Sequence, residues 1–261
     1  MKVIIIGGVA GGASAAARLR RLDEQAEIIM LEKGEHISYA NCGLPYYIGN
    51  VIKDKSALLV QTPEAMKARF NIDVRTLSEA LSIDRQAHTV RIMDHRTGRV
   101  YEEKYDKLVL SPGAEPKRPP IEGLDLEGVF TLRTVPDTYR IHDYINQKNV
   151  RRAVVIGGGF IGVEMVENLA ERGIEVAMVE FTDQVVASLD ADIAAFLHQH
   201  MRLKGINLIF RVGAAGFFRN GQDGISVRLT SGQMINADLV IFCIGISPDS
   251  RLARDTGLEL G

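Results

Sequence analysis

Three groups of residues in this 261-residue chain have types and spacings that could do chemistry. The first is Ser38-Tyr39-Ala40-Asn41-Cys42-Gly43-Leu44-Pro45-Tyr46-Tyr47, which holds one of the two cysteines. Polar Ser38 and Asn41 precede the thiol. A short helix is expected after it, with Pro45 tolerated in the first turn and Gly49 near the end. A thiol at a helix start exists more as the nucleophilic thiolate. A lone cysteine is as readily a small buried hydrophobe, so the residues alone leave Cys42 open between redox centre and packing. Cys243, inside the apolar run Leu239–Ile244, is read as packing.

The other two groups are glycine turns, each followed by an acid. Gly157, Gly159 and Gly162 fit the spacing GxGxxG, and Glu180 lies 18 residues beyond Gly162. Glycines there let a backbone approach a pyrophosphate, and the helix N-terminus offers free N–H groups and partial positive charge. An acid at that distance accepts from ribose hydroxyls and repels a 2′-phosphate, which favours NADH over NADPH. The alternative is a tight strand-to-helix turn that binds nothing. In the earlier copy Gly7 and Gly12 hold the outer positions, and Val9 replaces the middle glycine. Gly8, Gly11 and Ala13 keep the surroundings small, and Glu32 follows 20 residues after Gly12.

The elements that must position these residues occur twice. The strand Lys2–Ile6, the first glycine turn, an alanine-rich helix and the strand Ile28–Leu31 lead to Glu32. The strand Ala153–Ile156, the second turn, a helix stopped by Gly173 and the strand Val176–Val179 lead to Glu180. Strand, glycine turn, helix, strand, acid is the mononucleotide-binding half of a doubly wound sheet. Downstream, Thr89–Met93 and Arg99–Tyr105 flank a turn at Asp94–Gly98 and precede the strand Leu108–Leu110 and Ser111-Pro112-Gly113. Likewise Ile225–Leu229 and Met234–Asn236 flank Ser231-Gly232 and precede Leu239–Ile244 and Gly245. Alternating segments around short turns predict antiparallel ribbons. Thr62-Pro63 opens a helix over Glu64–Arg69, Pro136–Lys148 is another, and Asp190 is expected to cap a third that reaches Lys204. The fold class is therefore α/β, with two Rossmann-like, three-layer dinucleotide-binding domains, each carrying a small antiparallel ribbon. Expected bounds are 1–115 and 116–244, joined at the Pro-rich Pro116–Pro120, with 245–261 starting a return to the first domain.

Composition narrows the function classes. With 46% hydrophobic and 25% charged residues the chain reads as globular. A net charge of −2 gives no reason to expect a nucleic-acid or anionic-membrane partner. No apolar run approaches the ~18 residues of a membrane span, and no secretory signal is expected. Two cysteines make a disulfide framework improbable, so a reducing cytoplasm is expected. None of the six histidines has metal-ligand spacing, so no metal is expected.

Taken together, these motifs resemble the flavin-dependent pyridine nucleotide–disulfide oxidoreductases over essentially the whole chain. The cysteine segment is similar to that of coenzyme A–disulfide reductases and related NADH-dependent persulfide reductases. Two-cysteine relatives carry a second cysteine five positions after the first, where this chain has Tyr47. The resemblance therefore implies a single redox cysteine, Cys42, that alternates with a mixed disulfide to coenzyme A or a persulfide. It implies FAD in the first domain, held by Gly7, Gly8, Val9, Ala10, Gly11, Gly12, Glu32, Lys33, Asn41, Ala80, Ser111 and Gly113. NADH is implied in the second, at Gly157, Gly159, Phe160, Ile161, Gly162, Glu180 and Gly245, although Phe160 and Ile161 are also plausible packing. Ser14, Arg18 and Arg21 share one helix face and would hold coenzyme A, with Ser38 and Asn41 near the thiol. By residue pattern alone these arginines and Arg20 are solvated cations at a helix end; with the resemblance only Arg20 stays a surface residue.

Family chains are longer. They continue into a Gly-Asp pair that contacts FAD, an interface domain that forms a homodimer and, in persulfide-reducing members, a rhodanese-like domain. The resemblance thus implies a shortened chain with weak FAD binding, no dimer interface and little activity. Rival readings are an NADH oxidase or peroxidase with a cysteine sulfenic acid, a flavin reductase serving a protein acceptor, and a non-catalytic nucleotide sensor.

Overall fold

A computed structural model describes residues 1–221 and 224–260; Gly261, in the stretch expected to return to the first domain, lies outside it. The α-helices among these residues are α1 (Ala10–Leu22), α2 (Leu44–Ile48), α3 (Pro63–Phe70), α4 (Val135–Gln147), α5 (Phe160–Glu171), α6 (Ala191–Leu203) and α7 (Arg251–Asp255). Contacts divide the chain into two compact units. One comprises Met1–Ala40, Leu59–Ala114 and Pro248–Gly261; the other comprises Asn41–Leu58 and Glu115–Ser247. Asn41–Leu58, with Cys42, thus groups with the second unit, whereas Ser38–Ala40 stay with the first.

In the first unit a parallel sheet runs in the order Asp73–Arg75, Glu27–Leu31, Lys2–Ile6, Lys107–Leu110. Ile4 pairs with Ile29 on one side and Leu108 on the other. Both faces of this sheet are covered, which is why its strands read as unbroken apolar runs. Val3 and Ile5 pack with Ala13 and Ala16 of α1, whose small side chains let the helix lie close to the strands. Ile4 and Ile6 face the other way, onto Ala80, Val90 and Ile92 of an antiparallel ribbon. Helices, parallel sheet and ribbon are the three layers.

The second unit repeats the plan. Its five parallel strands run Asn207–Phe210, Glu175–Glu180, Arg152–Ile156, Leu239–Phe242, Val129–Phe130. Val154, Ile156, Val179, Val240 and Phe242 pack against Phe217, Ile225, Val227 and Leu229 of a second ribbon. On α5, Gly162, Met165, Val166 and Leu169 are buried, and the helix packs along Arg152–Ile156 and Glu175–Glu180.

The structure also differs from the sequence reading in places. Each ribbon gains a third strand, Ser78–Asp84 and Ala214–Asn220. Their registers shift between Ala80 and Ser82 and between Ala214 and Gly216, and such a bulge hides the two-residue alternation. The apolar strand expected over Leu239–Ile244 ends at Phe242, so Cys243 lies just past the ladder. Thr62 caps α3 as expected, accepting from the Ala65 amide. Thr134 starts α4 one residue early through a reciprocal capping box with Asp137. Asp190 sits at the start of α6 but its side chain makes no capping bond.

Candidate functional site

Both glycine turns are built on one hydrogen-bond pattern. The Gly7 amide donates to Leu31 O and the Gly157 amide to Val179 O, both at 2.8 Å. The next amide in each copy donates to the acid: Gly8 to Glu32 Oε2 at 2.9 Å, and Gly158 to Glu180 Oε2 at 2.6 Å. The other carboxylate oxygen accepts from the amide two residues on, Gly34 at 2.8 Å and Thr182 at 2.7 Å. A carboxylate offers about four lone-pair positions, so each acid is fixed in place and still able to accept from a ribose hydroxyl.

The glycines are required for distinct reasons. Gly7 and Gly157 have φ of +99° and +110°, a region that disfavours side chains. A Cβ on Gly12 or Gly162 would meet the carbonyl oxygen of Gly7 or Gly157 far inside the 3.0 Å that Cβ atoms keep. By contrast, nothing lies within 4 Å of a Cβ on Gly159. That open position corresponds to Val9, and it explains why the first copy tolerates a departure from the motif there. The glycine at 159 leaves space for a ligand and is not needed for packing.

Beneath each turn lies a side-chain donor at an equivalent place. Ser111 Oγ donates to Ile6 O and Gly7 O, both at 3.1 Å. Cys243 Sγ donates to Ile156 O at 3.3 Å and Gly157 O at 3.6 Å. Desolvation pushes this thiol up to about 12, with Glu180 adding to the shift. Cys243 is therefore more than a small hydrophobe, because it occupies the serine's place in the second copy.

These cradles suit dinucleotides. α1 and α5 begin at Val9 and Gly159 without a side-chain cap, whereas α3 and α4 are capped by threonines. The first amides of α1 and α5 are thus left to an anion. A cavity of about 290 Å³ opens beside the second turn, where Gly157 and Glu180 meet Phe181, Val212, Gly213 and Ile244. The last four were not singled out from sequence. Phe181, 75% exposed directly after the acid, is the signal that could have found them. Phe160 is 69% exposed and Ile161 37%, so neither is simple core packing. Gly245 is exposed with φ +126°. In the first unit Lys33 is exposed, and the buried Ala80 points into the core, leaving only its backbone for a ligand. Gly113, φ +79°, accepts from the Asp249 amide at 2.9 Å.

Cys42 is exposed, as is Asn41. Both lie in a 3₁₀ turn, Asn41–Gly43, that runs into the five-residue α2. A helix so short adds little dipole, so the reactivity argument rests on exposure. Ser38 belongs to the first unit, where its amide donates to Gly8 O at 2.9 Å. Gly49 has an ordinary φ of −73°. It is glycine because a Cβ there would strike Asn168, not because the helix needs a left-handed stop. Ser14, Arg18 and Arg21 are exposed on α1. Arg20, expected at the surface, also ties down the helix end through Phe70 O at 2.7 Å, Glu24 O at 2.7 Å and Asn71 O at 3.0 Å. Among the described residues no cluster of His, Cys, Asp and Glu could hold a metal, and no helix is long and apolar enough to cross a membrane.

A fold with two such cradles, each backed by its own acid, defines a protein of the double dinucleotide-binding class. Residues 1–261 match the family described as pyridine nucleotide-disulphide oxidoreductase, and the chain belongs to it. It is 37% identical over 259 residues to a coenzyme A disulfide reductase of Staphylococcus epidermidis, covering 99% of this chain and 57% of that relative. It is similar to the crystal structure of reduced Bacillus anthracis CoADR-RHD (TM-score 0.96, 54% identity, 100% of this chain and 46% of the other). It is also similar to a NAD-dependent persulfide reductase from A. fulgidus (TM-score 0.95, 37% identity, 100% and 49%). The chain thus spans little more than half the length of the curated relatives it matches.

Proposed function

We propose that this chain is the cofactor-binding part of an FAD-dependent NADH oxidoreductase that reduces coenzyme A disulfide, coenzyme A persulfide or polysulfide at Cys42. The observation that carries this reading is an exposed Cys42 with a buried tyrosine, Tyr47, in place of a partner thiol. Similarity to a coenzyme A disulfide reductase and a persulfide reductase supports the substrate class.

In this reading the turn Gly7–Gly12, Glu32, Lys33, Asn41, Ala80, Ser111 and Gly113 hold FAD. Gly157–Gly162, Glu180 and Gly245 hold NADH, and the Glu180 carboxylate disfavours the 2′-phosphate of NADPH. Ser14, Arg18, Arg21, Ser38 and Asn41 receive coenzyme A, the arginines through its phosphates. Bound FAD supplies two-electron transfer from nicotinamide to sulfur. The Cys42 thiolate attacks one sulfur of the disulfide; that S–S bond breaks, one coenzyme A thiolate leaves, and a mixed disulfide remains on Cys42. Two electrons then break the mixed disulfide, which frees the second coenzyme A thiolate and restores Cys42. The protein is read as a cytoplasmic homodimer.

Replacing Cys42 with serine is the test. Cys42→Ser should abolish NADH-driven coenzyme A disulfide reduction and leave flavin reduction by NADH nearly unchanged, both followed by absorbance. Undiminished disulfide turnover in that variant would exclude the assignment.

A further inference from the structure

Tyr47 is 4% exposed. Its ring meets Tyr139 edge-on at 5.6 Å and the His142 ring at 4.9 Å. Both partners lie on α4, whose residues 139, 142 and 146 share one face at helical spacing. From that face a run of polar contacts reaches Asn50, just past the cysteine segment. Arg172 Nη2 donates to Asn146 Oδ1, Asn146 Nδ2 lies 3.3 Å and 3.4 Å from the two ring nitrogens of His142, and His142 Nε2 lies 2.8 Å from Asn50 Oδ1. Arg172 also donates to Ile48 O at 2.7 Å. On the same side Gly49 lies against Asn168 of α5 too closely to admit a Cβ.

Four successive residues, Tyr47 to Asn50, are therefore each fixed to α4, α5 or Arg172 just past it. A five-residue helix has no stability of its own, since nucleation is costly and propagation needs length. The place of α2, and of the thiol one turn before it, is set by these tertiary contacts.

We propose that His142 is a positioning residue for Cys42. With Tyr139 and Arg172, it holds Tyr47 and Asn50 so that helices of the pyridine-nucleotide unit fix where the thiol stands. The proposal rests on the reading that Cys42 is the redox sulfur. It also accounts for the residue at position 47, because the site used for a second thiol in two-cysteine relatives is here the anchor of the segment.

Amide exchange followed by mass spectrometry, together with iodoacetamide labelling of Cys42, tests this on the whole chain. Cys243 stays unlabelled because its thiol is desolvated. His142→Ala removes a ring contact and a hydrogen bond, and should speed exchange over residues 44–52 about tenfold. It should also change the Cys42 labelling rate at least about threefold, while exchange in Arg152–Ile156 stays the same. His142→Gln keeps a donor for Asn50 and should restore most of both. Wild-type exchange and labelling in His142→Ala, or faster exchange spread evenly through the second unit, would overturn the proposal. Cys42→Ser should abolish turnover yet leave the exchange pattern unaltered, so failure of either claim can be told from failure of the other.

Discussion

Two alanine substitutions three residues apart should separate folding from ligand binding in the second cradle. Gly162 is buried on α5, and a Cβ there would collide with the Gly157 carbonyl oxygen. The obstacle is backbone, and Gly157 is itself held at φ +110° by its own turn. Relief therefore requires α5 to move off the strand Arg152–Ile156. Overpacking costs about 1–3 kcal/mol, with rigid obstacles at the upper end. The gain in helix propensity from Gly to Ala offsets about 1 kcal/mol. A net loss of about 2 kcal/mol corresponds to a melting temperature lower by roughly 4–8 °C for a unit of this size. Gly159 differs: φ is −73°, and nothing lies within 4 Å of the added methyl. Reduced unfolded-state entropy favours alanine by about 0.4–1 kcal/mol. The poorer N-cap disfavours it by a similar amount, about 0.5–1 kcal/mol, so stability should stay within about 0.5 kcal/mol. The methyl does occupy the ligand side, and NADH affinity should fall about tenfold. Thermal melts and fluorescence titration with NADH read the two effects. If Gly159→Ala lowers the melting temperature as much as Gly162→Ala, the division of labour drawn from the geometry is wrong. Wild-type stability in Gly162→Ala would refute it equally.

Cys243 and Glu103 give two further expectations. Cys243→Ser keeps the donor that Ser111 supplies in the first unit and should match or exceed wild-type stability; Cys243→Ala removes the side-chain donor from Gly157 O, while Ile156 O keeps the Cys243 backbone amide, and should cost about 1 kcal/mol in urea unfolding. Although burial works the other way, hydrogen bonds from Lys2 and Arg75 hold the Glu103 carboxyl below its ordinary value. Its contribution should be present above pH about 4.5 and be lost as pH falls below that range. Glu103→Gln should therefore be less stable than wild type near pH 7, with a gap that closes on acidification; a gap independent of pH would contradict the pairing.

The fold was legible because its signals are local and duplicated. Lys2–Ile6 and Arg152–Ile156 read as buried strands from unbroken apolar runs, and positive-φ glycines mark the turns after them. Ser78–Asp84 and Ala214–Asn220 were not legible, since a bulge breaks the alternation that would reveal them. In the site, glycines and acids were found by spacing, whereas Phe181, Val212, Gly213 and Ile244 meet at one cavity only after the strands are side by side. The anchoring bonds of Arg20 were not legible for a related reason. Its partners are backbone carbonyls, two of them about fifty residues away, and carbonyls leave no trace in sequence.

Comparison of the two cradles shows which parts of the motif belong to the fold and which to the ligand. Positions that match in both copies are the ones whose atoms are spatially constrained: Gly7 with Gly157, Gly12 with Gly162, Glu32 with Glu180. Positions that differ are either open, as at Gly159 where the first copy has Val9, or chemically equivalent, as Ser111 and Cys243 are. A valine in place of the middle glycine is thus no sign of a disturbed turn. In the same way a thiol under the second turn is no sign of a second redox centre, because it does the work of a hydroxyl. Of the two cysteines, only Cys42 has no structural role of its own visible in the fold. The surrounding structure instead anchors the residues beside it, through Tyr47, Ile48, Gly49 and Asn50. An exposed thiol in a segment fixed with that much buried contact is the arrangement expected when the position of the sulfur matters.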